Sequence, residues 1–156
     1  MANFALIANY LEGNLATQLA TARQTQGVWE WYNALFRIMS ANRVTGTPTV
    51  FGPKQLSAGT NVVETVAATV FGILIDNSQA AEDCQVQLSN VAATPGTTDI
   101  FGSYYGLRGT MRGYVFSDGL PFSSRLEVFS TLGTNAGLEA GTASTTQPTI
   151  TLVYTK

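Results

Sequence analysis

The sequence predicts a mainly β protein: an antiparallel β-sandwich, jelly-roll-like, with an N-terminal helical segment. From residue 43 onward, short segments of alternating apolar and polar residues are separated by turn-forming residues roughly every ten to fifteen positions. Residues 3–41 instead carry apolar residues at three- and four-residue steps, the spacing of an amphipathic helix. Strands and helices do not alternate along the chain, which argues against a parallel sheet.

The N-terminal region, residues 1–42, is predicted to be a helical arm or hairpin. Its first helix presents one apolar stripe, formed by Phe4, Ile7, Leu11, Leu15 and Leu19. Gly13 interrupts this helix at a cost of about 1 kcal/mol relative to alanine. A second helix is predicted over residues 28–39, and Thr25 or Gly27 could separate the two. One long bent helix is the alternative.

Residues 43–156 form the predicted β-sandwich domain, with about six to eight short strands. The predicted strands cover residues 49–51, 61–75 (one long strand or two short ones), 84–89, 112–117, 125–130 and 149–154. The strand at 84–89 is expected to be half-buried because apolar and polar residues alternate along it. The predicted turns lie at 76–78, 94–96 and 118–119, where Asp, Asn, Gly and Pro concentrate.

The composition is poor in reactive and charged groups. The chain has no histidine, one cysteine, 12% charged residues and a net charge of −2, whereas about 25% charge is usual. A Ser-His-Asp triad is therefore excluded within one chain, and there is no basic surface for nucleic acid or an anionic membrane. Cys84 is expected to be a small buried apolar residue. A low charge indicates that other subunits cover much of the surface.

No motif predicts catalytic, cofactor-binding or metal-binding residues. The glycines at 102, 106, 109 and 113 fit neither a phosphate loop nor a dinucleotide-binding turn. Asp76, Glu82 and Asp83 lack the spacing of an EF-hand. Arg108 and Arg112 are too few for a single-stranded nucleic-acid groove, although tyrosines flank them. The chain is therefore not expected to be an enzyme or to carry a cofactor.

Aromatic residues supply the candidate interface instead. Trp29 and Trp31 would lie about 200° apart on a helix, so one sheet cannot cover both rings, and one ring should face a partner. The predicted interface residues are Phe4, Ile7, Leu11, Leu15, Leu19, Trp29, Trp31, Tyr104 and Tyr105. The N-terminal stripe could either close the sandwich or reach a neighbouring subunit as an arm.

Three stretches of the C-terminal half carry a resemblance. They are VFGILIDNS at 70–78, FSDGLPFS at 116–123 followed by LEV at 126–128, and TITLVY at 149–154. They resemble the small β-sandwich virion proteins of bacterial viruses, in which a G-(L/I)-x-F-S turn precedes the penultimate strand and a Thr-rich strand ends the chain. The resemblance covers the chain from about residue 69 onward and implies a jelly-roll capsid or capsid-associated protein. It carries no site residues and does not explain residues 3–41.

The expected function is accordingly that of a virus structural protein that self-assembles through neutral interfaces. Its expected partners are copies of itself and other virion proteins, and its expected location is the virion, after synthesis in the host cytoplasm. Nucleic-acid sequence recognition is not expected, and membrane contact is disfavoured because residues 1–21 contain no Lys or Arg. The alternative is a carbohydrate- or receptor-binding module of a virion fibre, with Tyr104, Tyr105 and Tyr114 as stacking platforms. An enzyme with acidic residues from several loops is a third hypothesis.

Overall fold

The computed structural model describes residues 22–41, 47–93, 101–132 and 146–156, and these ranges form nine strands and one helix. The elements are β1 (Ala22–Gln26), α1 (Val28–Ala41), β2 (Thr49–Gln55), β3 (Asn61–Glu64), β4 (Ala68–Asp76), β5 (Cys84–Ser89), β6 (Gly102–Gly106), β7 (Met111–Phe122), β8 (Leu126–Leu132) and β9 (Thr149–Thr155). The predicted mainly β fold, with its helix in the N-terminal region, is confirmed.

The strands form two antiparallel sheets. Sheet A has the order β1-β7-β4-β9-β2, and sheet B has the order β3-β8-β5-β6. The pairs are nested along the chain: β5 pairs with β6, β4 with β7, β3 with β8, and β2 with β9. Successive nested pairs alternate between the two sheets, which is the arrangement of an eight-stranded jelly roll. Strand β1 is additional and extends sheet A beside β7.

The main core lies between the two sheets. Ile73 and Ile75 of β4 face it from sheet A, and Val86 and Leu88 of β5 face it from sheet B. All four side chains are completely buried. They occupy alternate positions because successive strand residues point to opposite sides of a sheet. Inward-facing residues of β7, β8 and β9 complete the same core.

A second apolar layer lies where α1 covers the outer face of sheet A. Its buried residues are Trp31, Ala34, Leu35, Phe71, Leu74, Val115 and Val153. The indole Nε1 of Trp31 donates a hydrogen bond to the backbone oxygen of Tyr114, 3.1 Å away. At Gly72 of β4, a Cβ atom would lie 3.0 Å from both Trp31 and Leu35. The absence of a side chain there lets the helix approach the sheet closely.

The structure corrects the predicted N-terminal helical segment at Ala22–Gln26, which is a strand. Its register with β7 runs from Ala22 opposite Phe116 to Gln26 opposite Arg112. Gly27, with φ of 78°, follows this strand and precedes α1. The second predicted helix is confirmed as α1, which packs on sheet A. The first predicted helix, with the stripe from Phe4 to Leu19, lies outside the described residues.

Three strand predictions also need correction. Strand β7 continues through Asp118 and Gly119, because Gly119 adopts φ of 74° and the pairing with β4 shifts register between Val70 and Gly72. Strand β2 extends past Pro53 to Gln55, where the sheet edge tolerates a proline. Strand β5 is not half-buried, since all six of its residues are buried on both faces.

Candidate interaction surface

The exposed face of α1 carries the largest exposed aromatic side chains of the described residues. Trp29 is 79% exposed, Phe36 is 73% exposed and Tyr32 is 55% exposed. At 100° per residue, these three rings lie within an arc of about 60° on the helix. They form one surface, called here the aromatic patch. It points away from sheet A because Trp31 and Leu35 occupy the side that packs on the sheet.

An apolar groove adjoins this patch on the side of β2 and β9. It encloses about 440 Å³ and is lined mainly by Tyr32, Phe36, Met39, Pro48, Val50 and Val153. Val50 is itself an exposed large hydrophobic residue at the edge of sheet A. We call this cavity the α1 groove. Together, patch and groove place aromatic and aliphatic side chains side by side, which is the composition of a protein–protein interface core.

Charged residues of α1 lie away from the groove. Glu30 and Arg37 are exposed and occupy the polar side of the helix together with Asn33. None of the described residues that line the α1 groove is charged. A ligand of this surface would therefore be held by apolar contact, and a charged or strongly hydrated ligand would gain no ion pair in the groove.

The structure separates the two predicted tryptophans. Trp29 is exposed, in agreement with the expectation that one of the two rings faces outward. Trp31 is 0% exposed and packs between α1 and sheet A, so its assignment to the interface is wrong. Tyr32 and Phe36, which share the exposed face with Trp29, are not among the predicted interface residues. Their signal is present, because they follow Trp29 at the three- and seven-residue steps of one helical face.

The predicted tyrosine pair on β6 is only partly accessible. Tyr104 is 2% exposed and packs against the rings of Tyr114 and Phe116, with centroids 5.3 and 5.4 Å away. Its assignment to an interface or a sugar platform is therefore wrong, since the ring belongs to the core. Tyr105 is half-buried. The remaining interface candidates, Phe4, Ile7, Leu11, Leu15 and Leu19, lie outside the described residues.

Tyr105 and Asp83 form a polar contact that fastens the β5–β6 end of sheet B. The Tyr105 hydroxyl donates a hydrogen bond to the Asp83 carboxylate, which also accepts one from the backbone N–H of Arg108 at 2.9 Å. The hydrogen bond from Tyr105 lowers the pKa of Asp83 and raises the pKa of Tyr105. Asp76, in turn, accepts hydrogen bonds from Ser78 in the predicted turn. Both carboxylates thus serve local structure.

Cys84 lies in the main core with no exposed surface. Burial raises the pKa of its thiol from 9.0 to about 11, because the thiolate is poorly solvated there. A thiolate is the reactive form. The position therefore has the character of a small apolar residue, as the sequence predicts.

We expect Cys84 to resist a thiol-specific reagent at about pH 8 in the folded protein and to react at once in denaturant. The Cys84 thiol has a pKa near 9.0 in the unfolded chain and about 11 in the folded chain. Between these two pH values the unfolded chain binds fewer protons than the folded chain, so the free energy of unfolding should fall as the pH rises. The rate of Cys84 labelling is measured with and without denaturant from the absorbance of the chromophore that the reagent releases. Rapid labelling of the folded protein would contradict the burial of Cys84.

The described ranges contain no cluster of three or more Cys, Asp or Glu residues that could hold a metal ion. No helix within these ranges has the length and apolar character needed to cross a bilayer. In comparisons, no protein-family model, no curated protein and no solved structure matches the chain.

Proposed function

We propose that the protein is a virus structural protein, a capsid or capsid-associated subunit that assembles with copies of itself through neutral interfaces. The jelly-roll arrangement of β2 to β9 supports this proposal, because viral capsid proteins are among the proteins built on it. Lectins and cupins share the arrangement, so the fold alone does not decide the function. The resemblance over residues 70–154 points in the same direction.

The observation that carries the proposal is the aromatic patch on a chain with so few charges. Trp29 and Phe36 each leave more than 70% of their surface in contact with water. Soluble monomers rarely keep large contiguous apolar patches exposed, and such patches mark interaction sites. Tryptophan and other aromatic side chains are enriched in interface cores, where charged residues are depleted. Contact between subunits would bury these rings.

The carbohydrate-binding alternative has less support. It needs exposed tyrosine rings for stacking, but Tyr104 is buried and the hydroxyl of Tyr114 donates a hydrogen bond to the backbone oxygen of Tyr105. Tyr105 and Tyr114 are each only partly exposed, and the ring of Tyr114 packs against Tyr104. An enzyme with acidic loop residues is also less supported, because Asp76 accepts hydrogen bonds from Ser78, and Asp83 accepts them from Tyr105 and Arg108.

We expect the purified full chain to form oligomers or shells that sedimentation velocity and electron microscopy detect. The double variant Trp29→Ser/Phe36→Ser should raise the concentration at which assembly is half complete by more than tenfold, since buried aromatic anchors dominate interface energy. Its thermal unfolding should stay close to that of the wild type, because both side chains are exposed.

Ala41→Ser serves as the matched control, because Ala41 is exposed and lies about 120° from Trp29 around the same helix. This variant should assemble like the wild type. A wild-type chain that remains a monodisperse monomer at every concentration and salt would overturn the proposal. Binding of that monomer to a glycan array would then favour the carbohydrate-binding alternative.

A further inference from the structure

We propose that the α1 groove binds the N-terminal segment, residues 3–21, of a neighbouring copy of this chain. The inference rests on the proposed self-assembly and adds the element that makes the contact. It joins two features: an uncharged groove beside α1 and an apolar stripe in the sequence upstream of β1.

The chemistry of the groove matches that of the stripe. Apolar side chains line most of the groove, so it favours an occupant with an apolar face. The stripe offers Phe4, Ile7, Leu11, Leu15 and Leu19, and Glu12 is the sole charged residue in positions 1–21. An amphipathic helix that lays its apolar face into such a groove is a common recognition mode, with anchors at three- and four-residue steps.

The stripe is long enough to span the groove. A helix carrying the stripe from Phe4 to Leu19 would extend it over about 22 Å at 1.5 Å per residue. Helix α1 lines the groove from Tyr32 to Ser40, a stretch of about 12 Å. Part of the stripe can therefore cover the groove, with its aliphatic side chains against Tyr32, Phe36 and Met39.

The position of β1 indicates that the occupant comes from another copy. Strand β1 is one edge of sheet A, whereas Val153 and Val50 place the groove over β9 and β2 at the other side. Three strand spacings of about 4.8 Å separate β1 from β9, a lateral distance of about 14 Å. Only two residues lie between Leu19 and Ala22, and they allow at most about 11 Å. An arm that places Leu19 in the groove over β9 therefore has to come from another copy.

Such a contact would be heterologous, because an arm of one subunit meets the groove of the next. Repeated contacts of this kind close into a ring or shell when the rotation between subunits permits. The arm would cover the aromatic rings that the described chain leaves in water. It would also give the N-terminal stripe an apolar partner.

Disulfide trapping between two full-length variants tests the proposal. One variant carries Leu11→Cys, and the other carries Ser40→Cys, since Ser40 also lines the groove. The native Cys84 is buried. The two variants, one with an affinity tag, are mixed before assembly and oxidised afterwards. We expect a disulfide-linked heterodimer of the two variants, whereas Ser123→Cys, at an exposed serine after β7 that does not line the groove, should give none with Leu11→Cys.

The outcomes separate the two proposals. Particles that assemble without any Leu11–Ser40 cross-link would overturn the arm contact and leave self-assembly intact. A dimer of the Ser40→Cys chain alone would indicate contact between two α1 helices and would also overturn the arm contact. Failure to assemble at all would overturn both proposals.

A charge substitution provides a second measurement. Leu11→Asp/Leu15→Asp should raise the concentration for half assembly by more than tenfold, because it places carboxylates in an apolar groove. Asn9→Asp/Thr17→Asp adds the same charge away from the stripe and should change this concentration less than about threefold. Equal effects of both pairs would overturn the arm contact.

Discussion

Replacing Trp31 by alanine is expected to lower the free energy of unfolding by about 3–5 kcal/mol. The Trp31 ring is completely buried between α1 and sheet A, where it contacts the side chains of the second apolar layer. The substitution also removes the hydrogen bond to the backbone oxygen of Tyr114. The loss of the indole ring leaves a cavity over Gly72 of β4, and glycine has no side chain that could fill it. We expect α1 to lose its fixed position on the sheet.

Urea unfolding followed by circular dichroism measures this effect. Trp29→Ala is the matched control, since it removes the same side chain from the same helix at an exposed position. Its cost should stay within about 0.5 kcal/mol, as for most surface substitutions. Equal destabilisation by the two alanine variants would contradict the packing described for α1.

Gly52→Ala is expected to destabilise the protein by about 3 kcal/mol, the second of the two largest effects. Gly52 of β2 has φ of 93°, a region that side chains other than glycine rarely adopt. A Cβ atom there would lie 2.2 Å from the backbone oxygen of Ile150 and 2.9 Å from the backbone nitrogen of Lys54. Backbone atoms cannot rotate away as a side chain can, so β2 would have to move from β9.

Thermal unfolding measures this change, which should lower Tm by about 10 °C for a chain of this length. Gly59→Ala is the control, because a Cβ atom at Gly59 would meet nothing within 4 Å and its φ is not positive. Its Tm should remain close to the wild-type value. A Gly52→Ala variant as stable as Gly59→Ala would show that the β2–β9 pairing differs from the one described.

The sandwich could be predicted from local patterns because most of its strands carry them. Residues 84–89 alternate apolar and polar side chains, residues 149–154 carry large apolar side chains at every second position, and both stretches are strands in the structure. The turn at 76–78 follows from Asp76 and Ser78, whose hydrogen bonds the structure contains. These strands and this turn depend on residues that are close together in the chain, so they can be predicted from the sequence alone.

Features set by distant residues escaped prediction. The sequence ARQTQ of β1 has no strand-like apolar alternation, and its extended form is stabilised by pairing with β7, about ninety residues later. Gln85 and Gln87 look like solvent-facing positions but are buried. The Asp118-Gly119 pair is typical of a turn, yet here its glycine accommodates an irregularity inside β7.

The interaction surface was predictable in one respect only. The 200° separation of Trp29 and Trp31 requires that they face different surroundings. Which of them faces the sheet depends on the placement of Gly72 of β4 beneath the helix, and that placement is tertiary. The contribution of Pro48, Val50 and Val153 to the groove has no local signal either, because they belong to a different part of sheet A.

The nested pairing has a consequence for the synthesis of the chain. The last two strands are inserted between strands made much earlier: β8 lies between β3 and β5, and β9 lies between β4 and β2. While the ribosome is still producing residues 126–155, one inner strand of each sheet is missing and earlier strands keep unpaired edges, which are prone to aggregation. The sandwich therefore closes only after these residues emerge from the ribosome, so a nascent chain lacks a complete core until its synthesis is almost finished.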